Sequence, residues 1–306
     1  MQEVGKIDGL NGKRIGIFGK GGAGKSTVTF LLAKAIRKLG YTVVVLDADS
    51  TNLGLHRIFE IENPPKPLME HFGGTVFSGG LVTCPVDDPS PLNNAEVKLE
   101  DLSPLFYGRS PEGIFLFIIG KIGDEGPGAG CDGPVAKIAR DFRVSVNEKS
   151  QVTLIDFKAG LEDTARGVVT SLDLGIFVLD PTLVSVEMAS NMKQIVSQIQ
   201  SHEPPATAHL ESPELIEWAK RFYRGAHIEG VRYVLNRVNS KEEEGVLKKS
   251  LREKGIKTSC TIFQTPMISN AWLKGIAIKT GEQQLEIDKF VSILEEDLAV
   301  DKWMME

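Results

Sequence analysis

Short apolar runs recur along the 306-residue chain, separated by stretches in which apolar residues return every three or four positions. The runs at 14–18 (RIGIF), 41–47, 114–120, 152–157, 174–180, 231–238 and 259–263 predict strands. They are almost continuously apolar instead of alternating, the pattern of parallel strands covered on both faces. Between the first two, Val28, Leu31, Leu32, Ala35, Ile36 and Leu39 fall on one face of a helix that Gly40 stops. Further helices are predicted over 134–142, 185–201, 213–223, 241–253 and 283–298. Alternating strands and helices imply an α/β fold with a doubly wound, mainly parallel sheet. Ligands then belong at the C-terminal ends of its strands. Two longer excursions, 63–109 and 201–230, lack the character of a linker. The reading is one domain over 1–306, with 1–12 as an N-terminal extension and the two excursions as insertions.

The stretch GKGGAGKST (19–27) sits where the first strand meets the first helix, the context a phosphate loop requires. Gly19, Gly21, Gly22, Ala23 and Gly24 form a turn whose backbone N–H groups, with the helix N-terminus, suit phosphate oxygens. Lys25 is placed to reach the β- and γ-phosphates, Ser26 to ligate Mg²⁺, and Thr27 to lie near the α-phosphate. The second strand ends in Asp47 and Asp49, and a later one ends in Asp156 followed by Gly160, a D-x-x-x-G pattern. Lys20 is not needed by the general loop.

The form K-G-G-x-G-K-[ST] resembles the deviant Walker A loop of a family of dimerising ATPases. That family includes nitrogenase iron protein, MinD/ParA-type positioning ATPases, arsenite-pump ATPases and metallocentre maturation ATPases. The resemblance implies a P-loop NTPase fold of the SIMIBI type, ATP and ADP with Mg²⁺ as ligands, and a homodimer formed around ATP. It makes Lys20 the lysine that crosses the interface to the partner's nucleotide, where it neutralises charge developing in phosphoryl transfer. Asp49 matches the switch I aspartate that orients the attacking water or holds it near Mg²⁺, which also makes it part of the Mg²⁺ shell, and Asp47 supports the loop and the Mg²⁺ water shell. Asp156 matches the switch II aspartate of the Mg²⁺ shell, and Gly160 the glycine whose N–H approaches the γ-phosphate. Asn236, in YVLNRV, takes the place of an amide that reads adenine, a group that donates and accepts at once. Pro266 and Gly275 resemble the ends of the element whose backbone lines the adenine pocket.

Four stretches, 64–74, 116–131, 156–167 and 180–189, are most similar to the CooC-type ATPases that assist nickel insertion into carbon monoxide dehydrogenase. That similarity implies a recipient metalloenzyme as a partner and makes Cys131 a candidate Ni²⁺ or Zn²⁺ ligand at the dimer axis. Two departures stand out. The maturation ATPases carry C-x-C, whereas Gly133 stands in place of the second cysteine, leaving Asp132, water or a partner to complete a four-donor shell. Lys158 stands where an acidic residue is usual and adds positive charge beside switch II. The stretch 156–174 that begins with switch II contains no cysteine, which argues against the iron–sulfur cluster of an ATP-dependent reductase.

Charge narrows the alternatives. A net charge of −6 leaves no broad footprint for nucleic acid. No run approaches the ~20 apolar residues of a membrane span, and the acidic, amphipathic C-terminus disfavours anionic membrane surfaces. A MinD/ParA-type positioning role would need one of these surfaces. Cys84, Cys131 and Cys260 are few and widely spaced, as reduced thiols of a cytoplasmic protein are. Cys84 and Cys260 sit in apolar runs and are expected in the core. The five histidines lack metal-site spacing, and the charge run SKEEEGVLKK is expected to be a solvated helix face.

Overall fold

A computed structural model of the chain describes residues 8–51, 54–73, 82–120, 132–146, 150–279 and 281–305, with side chains through residue 300. Its strands are β1 (Arg14–Gly19), β2 (Thr42–Asp47), β3 (Glu96–Lys98), β4 (Gly108–Arg109), β5 (Phe115–Ile118), β6 (Arg143–Ser145), β7 (Gln151–Asp156), β8 (Leu174–Leu179), β9 (Val231–Val238) and β10 (Thr258–Phe263). Its α-helices are α1 (Lys25–Lys38), α2 (Leu55–Ile58), α3 (Leu68–His71), α4 (Gly133–Asp141), α5 (Glu162–Ala165), α6 (Leu183–Gln200), α7 (Pro213–Arg224), α8 (Lys241–Glu253), α9 (Pro266–Lys274) and α10 (Glu282–Met305).

Eight strands form one sheet in the order β10-β9-β8-β1-β7-β2-β5-β4. All pairs are parallel except β4 with β5. Successive side chains leave opposite faces of a strand, so each apolar run feeds two cores at once. Ile15, Ile17, Val43, Val45, Leu154 and Ile176 pack on one face with α1 and α10. Phe18, Val44, Leu46, Ile155 and Phe177 pack on the other with α4, α6 and α8. On that second face Phe18 stacks on Phe157 at 4.6 Å between ring centroids. This sandwich is the doubly wound sheet that the near-continuous apolar runs predict.

The two excursions are more structured than their composition suggests. The segment 63–109 returns to the sheet as β4, an antiparallel edge strand of two residues, and contributes β3 to a small parallel ribbon with β6. The segment 201–230 carries α7, close to its predicted bounds. The charge run on α8 is only partly solvated. Glu244 is buried between Lys241 and Lys248. Burial raises its pKa, but hydrogen bonds from Lys248, Lys241 and Thr261 outweigh that and bring it down to about 2. Among the described residues, no helix is long and apolar enough to cross a membrane.

Candidate functional site

The phosphate loop spans the gap between the end of β1 and the start of α1 at the centre of the sheet. Gly24 caps α1 with φ of 91°, a left-handed conformation that L side chains rarely adopt. A Cβ there would also stand 2.2 Å from Asn236 Nδ2, so neither the backbone nor the space admits another residue. Ala23 and Lys25 are buried, and Lys25, Ser26 and Thr27 line a cleft of about 440 Å³ with Gly22 and Gly24. Gly160 reaches the same loop, its N–H donating to Gly19 O at 3.1 Å.

The carboxylates come from the two strands beside each other in the sheet. Asp47 and Asp156 are direct partners in the β2–β7 register and are 1% and 0% exposed. Asp47 Oδ1 accepts from the Asp49 N–H at 3.2 Å, which shapes the turn after β2. Asp49 Oδ1 accepts from the Thr51 N–H at 2.9 Å and from Thr51 Oγ1 at 2.6 Å, and Asp49 lines the cleft with Lys25 and Ser26. Asp47 and Asp156 thus set two buried carboxylates opposite each other, hard oxygen donors of the kind Mg²⁺ takes.

Lys20 has an intramolecular partner. Its Nζ donates to Asp180 Oδ2 at 2.9 Å. Asp180 ends the run of β8 and also accepts from Thr182 Oγ1 at 2.7 Å and from Ser185 Oγ. Burial raises the Asp180 pKa, but these bonds outweigh it and hold the carboxylate below its ordinary range. Asp180 lies in a stretch the sequence marked, but nothing local identified it as the lysine's partner.

The side of the cleft formed by β9 and α9 is tied to the loop and the first turn of α1 by three bonds. Asn236 is buried, and its Nδ2 donates to Ala23 O at 2.7 Å. Arg237, at φ of 61°, donates from Nη1 to Gly22 O at 2.6 Å. Trp272 donates from Nε1 to Thr27 Oγ1 at 2.8 Å. Asn236 therefore has a structural role beside any contact with a base. Arg237 and Trp272 were not singled out in the sequence. Pro266 and Gly275 bound a true helix: Thr265 caps α9, Pro266 occupies its first turn and Gly275 ends it at φ of 60°.

Cys131 lies outside the described residues. Asp132 and Gly133 beside it are described. Asp132 accepts from Ser50 Oγ at 2.7 Å and from Lys158 Nζ. Burial raises the Asp132 pKa, but the bonds from Lys158 and Ser50 prevail and hold it low. The Asp132 bond raises the Lys158 pKa in turn. Lys158 is thus a partner of Asp132 more than a free charge beside switch II, and Asp132 is already engaged by two groups. A Cβ on Gly133 would lie 2.6 Å from Cys84 Sγ. A second cysteine at 133 would collide with the thiol that is already there. Cys84 is only half-buried and packs at this point instead of within the core. Cys260 does lie in the core, and desolvation pushes its thiol up to about 12. Ellman's reagent at pH 8 should therefore leave Cys260 unmodified in the native protein and reach it only after denaturation. Mass mapping that finds Cys260 labelled as fast as Cys84 would contradict this. Among the described residues, no three His, Cys, Asp or Glu side chains converge as a metal site.

Residues 17–278 match the family model described as the CobQ/CobB/MinD/ParA nucleotide binding domain. The chain belongs to this family. A protein of Methanocaldococcus jannaschii described as an uncharacterized ATP-binding protein is 35% identical over 184 residues, 60% of this chain and 72% of the relative. The carbon monoxide dehydrogenase accessory protein CooC of Rhodospirillum rubrum is 26% identical over 197 residues, 61% and 70% of the two chains. Among solved structures, the septum site-determining protein MinD of Pyrococcus horikoshii, complexed with Mg-ADP, aligns with a TM-score of 0.56 at 18% identity. The alignment covers 94% of this chain and 95% of MinD, and it concerns the fold alone. As a member of this family, the chain carries a nucleotide-binding domain over residues 17–278, with the glycine-rich loop at the C-terminal edge of its sheet.

Proposed function

We propose that this protein is a Mg²⁺-dependent cytoplasmic ATPase that dimerises around ATP and assists assembly of a metallocentre. The recipient we propose is a nickel enzyme of the carbon monoxide dehydrogenase type. The observation that carries the reading is Lys20, a second lysine in a phosphate loop whose own lysine, Lys25, already faces the cleft. The similarity to the CooC accessory protein over 197 residues supports the maturation role.

In this reading the loop N–H groups and Lys25 hold the β- and γ-phosphates, and Thr27 contacts the α-phosphate. Ser26, Asp49 and Asp156 would hold Mg²⁺ or its water shell, and the ion would supply charge neutralisation at the phosphates. Asp49 orients the attacking water, and the Gly160 N–H leaves Gly19 O to approach the γ-phosphate. Asn236 and the backbone at Pro266 line the base pocket. Lys20 leaves Asp180 and reaches across to the nucleotide of the second subunit. Both switches order around the γ-phosphate and relax after hydrolysis. The whole of 1–306 acts as a single domain.

Cys131 is the proposed ligand for a nickel or zinc cargo at the dimer axis, and Cys84, whose thiol lies against Gly133, is the second thiol the chain brings to that segment. Elemental analysis of the ATP-bound dimer, with and without added nickel, tests this. Cys131→Ala and Cys84→Ala should each lose the dimer-bound metal while hydrolysis persists. Metal content equal to that of the parent would remove the substituted cysteine from the site.

A further inference from the structure

We infer that Trp272 is a positioning residue for the bound nucleotide, acting on the phosphate through Thr27. The inference rests on the reading of the cleft as a nucleotide site. Trp272 packs its ring against the core beside Ile268, half-buried, and its Nε1 donates to Thr27 Oγ1 at 2.8 Å. Thr27 is buried at the start of α1, and both residues line the cleft.

A threonine hydroxyl has one proton to give and two lone pairs to accept with, whereas the indole N–H only donates. The bond from Trp272 therefore uses a lone pair of Thr27 and leaves its proton for another acceptor. Inside a helix that proton ordinarily returns to the carbonyl four residues earlier. Thr29 does this, donating to Lys25 O at 3.0 Å. The corresponding carbonyl for Thr27 is Ala23 O, and it already accepts from Asn236 Nδ2 at 2.7 Å. Asn236 engages one lone pair of that carbonyl, and among the described residues Thr27 Oγ1 makes no bond to the other, while Trp272 occupies one of the hydroxyl's own lone pairs. The proton of Thr27, which lines the cleft, is thus available to an anionic oxygen entering at the first turn of α1. A donor fixed before the ligand arrives need not be reoriented on binding. Trp272 contributes to phosphate affinity in this way without touching the phosphate.

The test is a double-mutant cycle read by calorimetric titration with Mg-ADP. Trp272→Phe keeps an aromatic ring and removes the donor, and Thr27→Val is nearly isosteric and removes the hydroxyl. Trp272→Phe should weaken ADP about five- to tenfold. Adding Trp272→Phe to Thr27→Val should cost less than about twofold more, whereas adding it to Thr27→Ser should cost the full amount. ADP affinity unchanged in Trp272→Phe, or losses that multiply in the double variant with valine, would overturn the inference. Failure of the parent to bind ADP would instead remove the nucleotide reading. Should Trp272→Phe not fold, the bond is read from its other end. The tryptophan emission maximum should then shift in Thr27→Val and stay in place in Thr27→Ser, and equal spectra would again overturn the inference.

Discussion

Lys20→Ala should lower ATP turnover about 10³-fold and abolish ATP-dependent dimers, while Mg-ADP still binds the monomer within about twofold of the parent. The basis is a division of labour within one loop. Lys25 is buried and lines the cleft, so in the proposed dimer it serves the nucleotide of its own subunit. The Lys20 side chain is 34% exposed and leans on Asp180, away from that role. A pair so open to water is worth about 1 kcal/mol at most. Releasing both Lys20 side chains, one per subunit, therefore costs no more than about 2 kcal/mol, or about thirtyfold in the dimerisation constant, a restraint that an arriving nucleotide overcomes. Asp180→Asn should accordingly promote dimerisation by about that factor or less, because the carboxamide keeps the shape and drops the charge. The two variants move the same equilibrium in opposite directions, one strongly and one weakly. Sedimentation velocity with a slowly hydrolysed ATP analogue reads the dimers, and phosphate release reads turnover. Hydrolysis and association unchanged in Lys20→Ala would remove this lysine from the interface.

The sequence showed the parts of the molecule whose cause is local. Strands such as β2 and β8 are legible because burial on both faces demands an unbroken apolar run, and β2 and β8 are buried at every position. The phosphate loop is legible because turning tightly in front of a helix demands glycine at fixed places. β4 is not legible, because two residues at a sheet edge carry no periodicity. α9 carried its signals in plain view, with Thr265 and Pro266 at its start and Gly275 at its end. The segment reads as helix-like pocket lining in the sequence, but nine residues offer little more than two turns of pattern to set its bounds. The bonds that organise the site are of another kind. Lys20 meets Asp180 across 160 residues, Arg237 meets Gly22 across 215, and Trp272 meets Thr27 across 245. Each partner sits at or beyond the end of a different strand, and only the strand order makes them neighbours. Glycine 133 shows the limit from the other side: its place was read as a missing cysteine, and the fold puts the thiol of Cys84 there instead.

Charge reversal at Lys158 should produce the second large effect. Asp132 links three segments: it begins α4, accepts from Ser50 just after Asp49, and accepts from Lys158 just after Asp156. Asp163 is close enough for burial and the neighbouring Asp132 to raise its pKa, although Arg166 opposes this. Lys158→Glu would thus set a new carboxylate against Asp132 in a place already rich in negative charge. Losing an attraction and gaining a repulsion at a half-buried pair amounts to about 2 kcal/mol, or about thirtyfold in turnover if the arrangement of both switches depends on the pair. Lys158→Met, which removes the attraction without adding repulsion, should cost less. Combining Lys158→Glu with Asp132→Lys restores opposite charges and should recover most of the loss, although Ser50 then faces a different partner. Nucleotide-stimulated hydrolysis across the four proteins decides the matter. Turnover near the parent's in Lys158→Glu would mean that the switches hold their arrangement without Asp132. A charge swap that recovers nothing would mean that Ser50, and not Lys158, is the partner through which Asp132 acts.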